Sequence, residues 1–155
     1  MSRSGYCDDG DGDQWQFIMY RGAVNSALKG RRGQQLLREL IAGLDAMPDK
    51  RLVAGHLEAD GEYCALGVVG AARGLNLSSI DTWHSSALSK NFDIAEAMAR
   101  EVMWINDESV GSWEWIATGK PYPDEWERVE VKDAGARRWQ AVRDWAEKHL
   151  VKDAA

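Results

Sequence analysis

The chain has 155 residues, 45% of them hydrophobic, with 19 Lys+Arg against 25 Asp+Glu for a formal net charge of −6. These totals suit one domain with a sizeable core and exclude the global basic field that recruits nucleic acid, so direct DNA binding is not expected and any anion site must be local. No apolar run reaches the roughly 18 residues a membrane span requires, and Cys7 in a polar stretch and Cys64 in an apolar run do not read as a disulfide pair, which points to a reducing cytoplasm.

The opening "MSRSGYCDDGDGDQWQ" lacks the apolar core of a secretory signal. Residues 1–13 read as a flexible acidic arm ahead of one globular domain over residues 14–151. "DGDGD" does not make a calcium loop, because a loop starting at Asp9 needs Gly and Glu where Gln14 and Tyr20 stand. Asp13 reads instead as an N-cap, with Asp11 beside the positive end of a helix. That helix is expected from Gln14 to Leu28, with Trp15, Ile18, Met19, Gly22 and Ser26 along one face. "KGRRGQ" breaks it, and a second helix to Met47 carries Leu36, Leu37, Leu40, Ile41 and Leu44 as a wide apolar stripe.

Beyond Pro48, "RLVAGHLEADGEYC" reads as a short β-hairpin turning at Asp60-Gly61. A helix rich in small residues follows from Ala65 to Arg73, closed by Gly74. Its glycines leave one flank nearly bare, so close approach by another helix is expected. Asp81 is read as the cap of a short helix to Lys90. Asp93 is read as the cap of one whose core face is Ile94, Met98, Val102 and Ile105. "WEWI" and "WERVEV" alternate apolar and polar residues around "TGKPYPDE", the pattern of a second hairpin. Asp133 then starts a last helix with Trp139, Val142, Trp145, Ala146 and Leu150 on its apolar side. The expected fold is α+β and mainly helical, with about five helices packed with one or two short β-hairpins.

Several residue groups carry possible chemistry. Cys64 opens a helix, where terminal N–H groups and the dipole favour thiolate, and His84 with Asn106 or Asp107 supplies the chain order of a thiol hydrolase. A buried apolar thiol is the favoured reading, because the flanking signature of papain-like enzymes is absent. Arg21, Lys29, Arg31, Arg32 and Arg38 gather around one interhelical turn, and with Gly33 opening the next helix they offer a nucleotide or phosphate site. No Walker or dinucleotide pattern accompanies them. His56, His84 and His149 are scattered, so no metal site and no cofactor is expected. Asp107 near a helix C-terminus faces an unfavourable dipole and calls for a cation, with Arg137, Arg138 and Arg143 as candidates. Trp113, Trp115 and Trp126 either present a binding surface on an exposed hairpin or close a small core over the helices.

"DGEYCALGVVGAARG", a helix ending "INDE", and the closing "RRWQAVRDWAEKHL" together resemble a group of small proteins encoded by bacteriophages and prophages, as does "YRGAVNSALKGRRGQ". The shared element is Gly-x-x-Cys-x-Leu-Gly, with a late Asn-Asp pair and a Trp/Arg-rich last helix. It maps onto Gly61, Cys64, Leu66, Gly67, Asn106, Asp107, Trp139, Arg143 and Trp145, and skips residues 109–132. Relatives often carry a second cysteine beside or after the first, where Ala65 and Val69 stand here. The resemblance implies a phage accessory protein in the cytoplasm of a bacterial host. Such proteins often bind and block a host protein or complex, including defence systems such as CRISPR complexes. An inhibitor that acts by binding is therefore expected, ahead of a phosphate-binding module or a Cys64-dependent hydrolase.

Overall fold

A computed structural model describes Ser4 and residues 14–152 of the chain. The expected acidic arm over residues 1–13 and its Asp13 cap lie outside the described residues. Ser4 itself donates from Oγ to Glu108 Oε1 at 2.5 Å and accepts from Arg100 Nε at its carbonyl at 2.7 Å.

Helices α1 (Gln14–Lys29) and α2 (Arg31–Ala46) form an antiparallel pair with only Gly30 between them. The leucines of α2, Leu36, Leu37, Leu40 and Leu44, are fully buried. The expected core face of α1 is wrong. Trp15, Ile18 and Met19 are 70%, 50% and 70% exposed, while Val24 and Leu28 are buried and Tyr20 and Ala27 pack beside them. Apolar residues occupy two faces of this helix, and closure of the pair at Gly30 selects the face nearer that turn.

The first hairpin pairs β1 (Glu58–Ala59) with β2 (Glu62–Tyr63). Asp60 and Gly61 both take positive φ, 52° and 81°, as the two turn positions of a type I′ turn demand. Next comes α3 (Ala65–Ala72), buried along most of its length. A Cβ on Gly67 would lie 1.9 Å from the Leu57 carbonyl oxygen, and one on Gly70 would meet Leu77 and the Phe92 ring. A loop carbonyl and two side chains, rather than a neighbouring helix backbone, therefore fill the bare flank.

After a 3₁₀ turn, Leu77–Ser79, come α4 (Ser85–Phe92) and α5 (Glu96–Asp107). Two expected caps are reassigned. Asp93 ends α4 in the left-handed region at φ 51°, and Ala95 precedes α5. Asp81 accepts the Trp83 N–H at 2.9 Å, and His84 occupies the N-cap position of α4. The chain closes with β3 (Trp113–Ala117), β4 (Trp126–Glu130) and α6 (Ala134–His149), whose N-cap Asp133 accepts the Ala136 N–H at 3.3 Å.

The fold is α+β and mainly helical, with six α-helices and two antiparallel two-stranded sheets among the described residues. One hydrophobic cluster takes residues from α1 to α6. None of the apolar residues of β3 or β4 belongs to it.

Candidate functional site

The β3–β4 hairpin stands apart from that core. Its register pairs Trp113 with Glu130, Trp115 with Arg128 and Ala117 with Trp126. Facing residues of an antiparallel pair share one side of the sheet, and alternate residues along each strand share it too. Trp113, Trp115 and Trp126 therefore lie on a single side, and they are 53%, 66% and 56% exposed. Of the two sequence readings of these rings, a presented surface and a small closed core, the geometry is that of the surface.

The reverse side of the hairpin ties it to the helices. Glu114 accepts two hydrogen bonds from the Arg137 guanidinium of α6, at 2.7 and 3.1 Å. Those bonds hold its carboxyl below the usual carboxylate range and raise Arg137 in turn. Val131, just past β4, is buried at the root. Arg128 lies over the Trp113 ring, 4.7 Å from its centroid, a cation–π contact that orders the outward side. Arg128 was missed in the sequence; counting back from the turn places it opposite Trp115.

Asn106, fully buried at the end of α5, joins three segments. Its Oδ1 accepts the Ala65 N–H at 2.9 Å, while Nδ2 donates to the Val53 carbonyl and to Asp107 Oδ1, both at 2.8 Å. Asp107 Oδ1 also accepts the Gly55 N–H at 3.1 Å. Of the cations expected to hold Asp107, Arg137 goes to Glu114 and Arg143 to Asp45 and Glu147. Arg138 feels the charge of Asp107 but donates to the Leu52 carbonyl at 2.8 Å, and burial lowers its pKa. The Asn-Asp pair thus clamps the 52–57 loop and the start of α3.

Cys64 is 3% exposed, and its Sγ accepts the Gly67 N–H at 3.4 Å. Around it Leu57, Leu66, Leu88, Val102 and Met103 leave no room for a water molecule. The His84 side chain is 72% exposed, with Nδ1 2.6 Å from Asp81 Oδ2. The thiol and the imidazole are not brought together, and the Asn106 amide is spent on two backbone groups and Asp107 Oδ1.

The basic residues divide. Arg21 pairs with the buried Glu101 at 2.9 Å, joining α1 to α5, and Arg32 pairs with Asp93 at 3.0 Å. Arg31, Arg32 and Gly33 line a groove of about 270 Å³ at the start of α2, away from Arg21. Among the described residues no group of three or more His, Cys, Asp or Glu side chains is placed to hold a metal ion, and no helix is long and apolar enough to cross a membrane.

No family model matches the chain, and no curated protein or solved structure matches it either.

Proposed function

We propose that this chain works by binding, as a phage accessory protein in the bacterial cytoplasm that blocks a host protein or complex, with a defence assembly such as a CRISPR complex as the target class. The observation that carries the binding reading is the single-sided display of Trp113, Trp115 and Trp126 on a hairpin outside the core. Exposed aromatic surface on a projecting element marks an interaction site, and tryptophan dominates the energetics of such contacts. The phage setting rests on the Gly61–Gly67 element, the Asn106-Asp107 pair and the tryptophan-rich last helix.

Immobilised protein in a bacterial lysate is expected to retain one host protein at fixed stoichiometry. Trp113→Ala and Trp126→Ala should each lose it. Retention by both variants removes the hairpin from the account.

A second reading, a phosphate or nucleotide site, is favoured by one observation: Arg31 and Arg32 flank the α2 N-terminus, where Gly30 offers no side-chain cap. Its measure is thermal stabilisation by millimolar nucleotide, which should vanish in Arg31→Ala.

A further inference from the structure

Besides its rings, the β3–β4 hairpin carries two open backbone edges. The Val131 N–H donates to the Ser112 carbonyl and the Thr118 N–H to the Glu125 carbonyl. Continued through the register of the ladder, these bonds set Ser112, Glu114, Ile116 and Thr118 at the hydrogen-bonded sites. Trp113, Trp115 and Ala117 take the alternate sites, so their N–H and C=O groups point away from β4. No hydrogen bond among the described residues reaches those groups. A two-stranded ribbon is marginal in water by itself, and a further strand along an open edge stabilises it.

The two edges differ in their protection. β4 sets Glu127, Arg128 and Glu130 within five positions, and such charges discourage further pairing. β3 has one charge, Glu114, which is already bonded to Arg137 of its own chain. It has no proline, no lysine and no bulge.

The side-chain order of β3 matches a second β3 running antiparallel to it. With Trp115 facing its counterpart across a two-fold axis, Trp113 faces Ala117 of the other copy and Glu114 faces Ile116. The outward N–H and C=O groups of Trp113, Trp115 and Ala117 then pair with one another, a large ring lies beside a methyl group, and no like charges meet. Moving the axis to Glu114 would oppose two carboxylates. An axis through Arg128 on the β4 edge would oppose two guanidinium groups, and like charges directly opposite destabilise a sheet. The antiparallel arrangement carries the roots of the two hairpins, and the helical bodies with them, to opposite ends of the joined sheet.

We infer that β3 is a self-pairing edge, through which two copies of the chain join into a four-stranded antiparallel sheet. Trp113, Trp115 and Trp126 of both copies then share one side, so association doubles the tryptophan surface. An extended segment of another protein would compete for the same backbone groups; the match of ring to methyl and of acid to isoleucine favours a second copy.

Sedimentation equilibrium of the full chain tests this, and a reversible monomer–dimer equilibrium is expected. Trp115→Pro removes an N–H that points away from β4, so the hairpin ladder survives while each dimer loses two backbone hydrogen bonds. Its dissociation constant should rise about tenfold or more. Arg128→Pro makes the same change on the β4 edge and should leave the equilibrium unaltered. The hairpin lies outside the core, so melting curves of both variants should overlay the parent. Register is read by disulfide trapping in a Cys7→Ser background, where the remaining native thiol, Cys64, is buried. Glu114→Cys mixed with Ile116→Cys should cross-link, because residues facing at a non-hydrogen-bonded site stand about 4.5 Å apart at Cα. Neither variant alone should do so. A monomer throughout, up to about 1 mM protein, a dimer unmoved by Trp115→Pro, or equal cross-linking by either cysteine variant alone would overturn the inference. Lysate capture lost in Trp115→Pro while the chain stays monomeric would give the edge to a host strand instead. Failure of the dimer leaves the Trp113→Ala and Trp126→Ala lysate test untouched.

Discussion

A single side-chain amide connects the end of α5 to the first turn of α3 and to the loop at Val53. Truncating Asn106 to alanine removes the partner of the buried Ala65 N–H and of the part-buried Val53 carbonyl, and each such loss costs about 1–3 kcal/mol. Asn106→Ala should therefore lower unfolding stability by about 3 kcal/mol in urea denaturation. Asn106→Asp keeps the shape but removes the amide donor and buries a charge, so it should not rescue. The sequence marked Asp107 as a clamp held by a cation, and of its candidates Arg138 does feel that charge, but the partners of Asn106 were not read. Which loop N–H and carbonyl would need satisfying depends on where residues 53–55 cross α3, and no local pattern encodes that crossing. Gly67→Ala is a second residue-scale test, because its Cβ would collide with the Leu57 carbonyl. Backbone cannot yield as a flexible side chain does, and a loss of about 2–3 kcal/mol or failure to fold is expected.

His149 sets a pH dependence at the same scale. Burial, with Lys148 and Arg21 nearby, lowers its pKa below the ordinary 6.5, and Glu101 opposes them. Its ring lies against Trp145, 5.5 Å between centroids. The folded state then binds fewer protons than the unfolded chain as pH falls through 6.5, so stability present above that value declines below it. Melting temperature should drop between pH 7.5 and 5.5, and His149→Gln should reduce that drop. An unchanged drop would assign it to other groups.

Among the elements, α1 and the β3–β4 hairpin separate what could be read from what could not. The hairpin was legible because alternation, turn residues and two prolines agree on it; its exposure was not, since alternation tells which residues share a side without telling which side faces water. In α1 the reading failed because Trp15, Ile18 and Met19 form a credible stripe, yet each keeps half or more of its surface exposed. Cys64 is the clearer case. Its place at a helix start was legible, and its enclosure came from Leu57 and Met103, far apart in sequence. A hairpin that adds nothing to the core should be removable. Replacing residues 114–129 with a two-residue turn should shift the melting temperature by no more than a few degrees, since surface changes cost about 0.5 kcal/mol or less. A large shift would mean that the hairpin supports the fold rather than standing on it. Arg137→Ala should leave global stability nearly as it is while speeding amide exchange in β3.

For the molecule as a whole, a helical body closed around one cluster carries a projecting arm whose acids and rings face outward. The net charge of −6 steers basic surfaces toward the chain in preference to acidic ones, and that steering weakens with salt. Hydrogen–deuterium exchange on the protein captured with its lysate partner tests the central claim most directly. Protection concentrated in residues 113–130, with α1 and α2 unchanged from the isolated chain, is the expected result. Protection at the Gly30–Gly33 turn or along α1, with the hairpin exchanging as before, would contradict it.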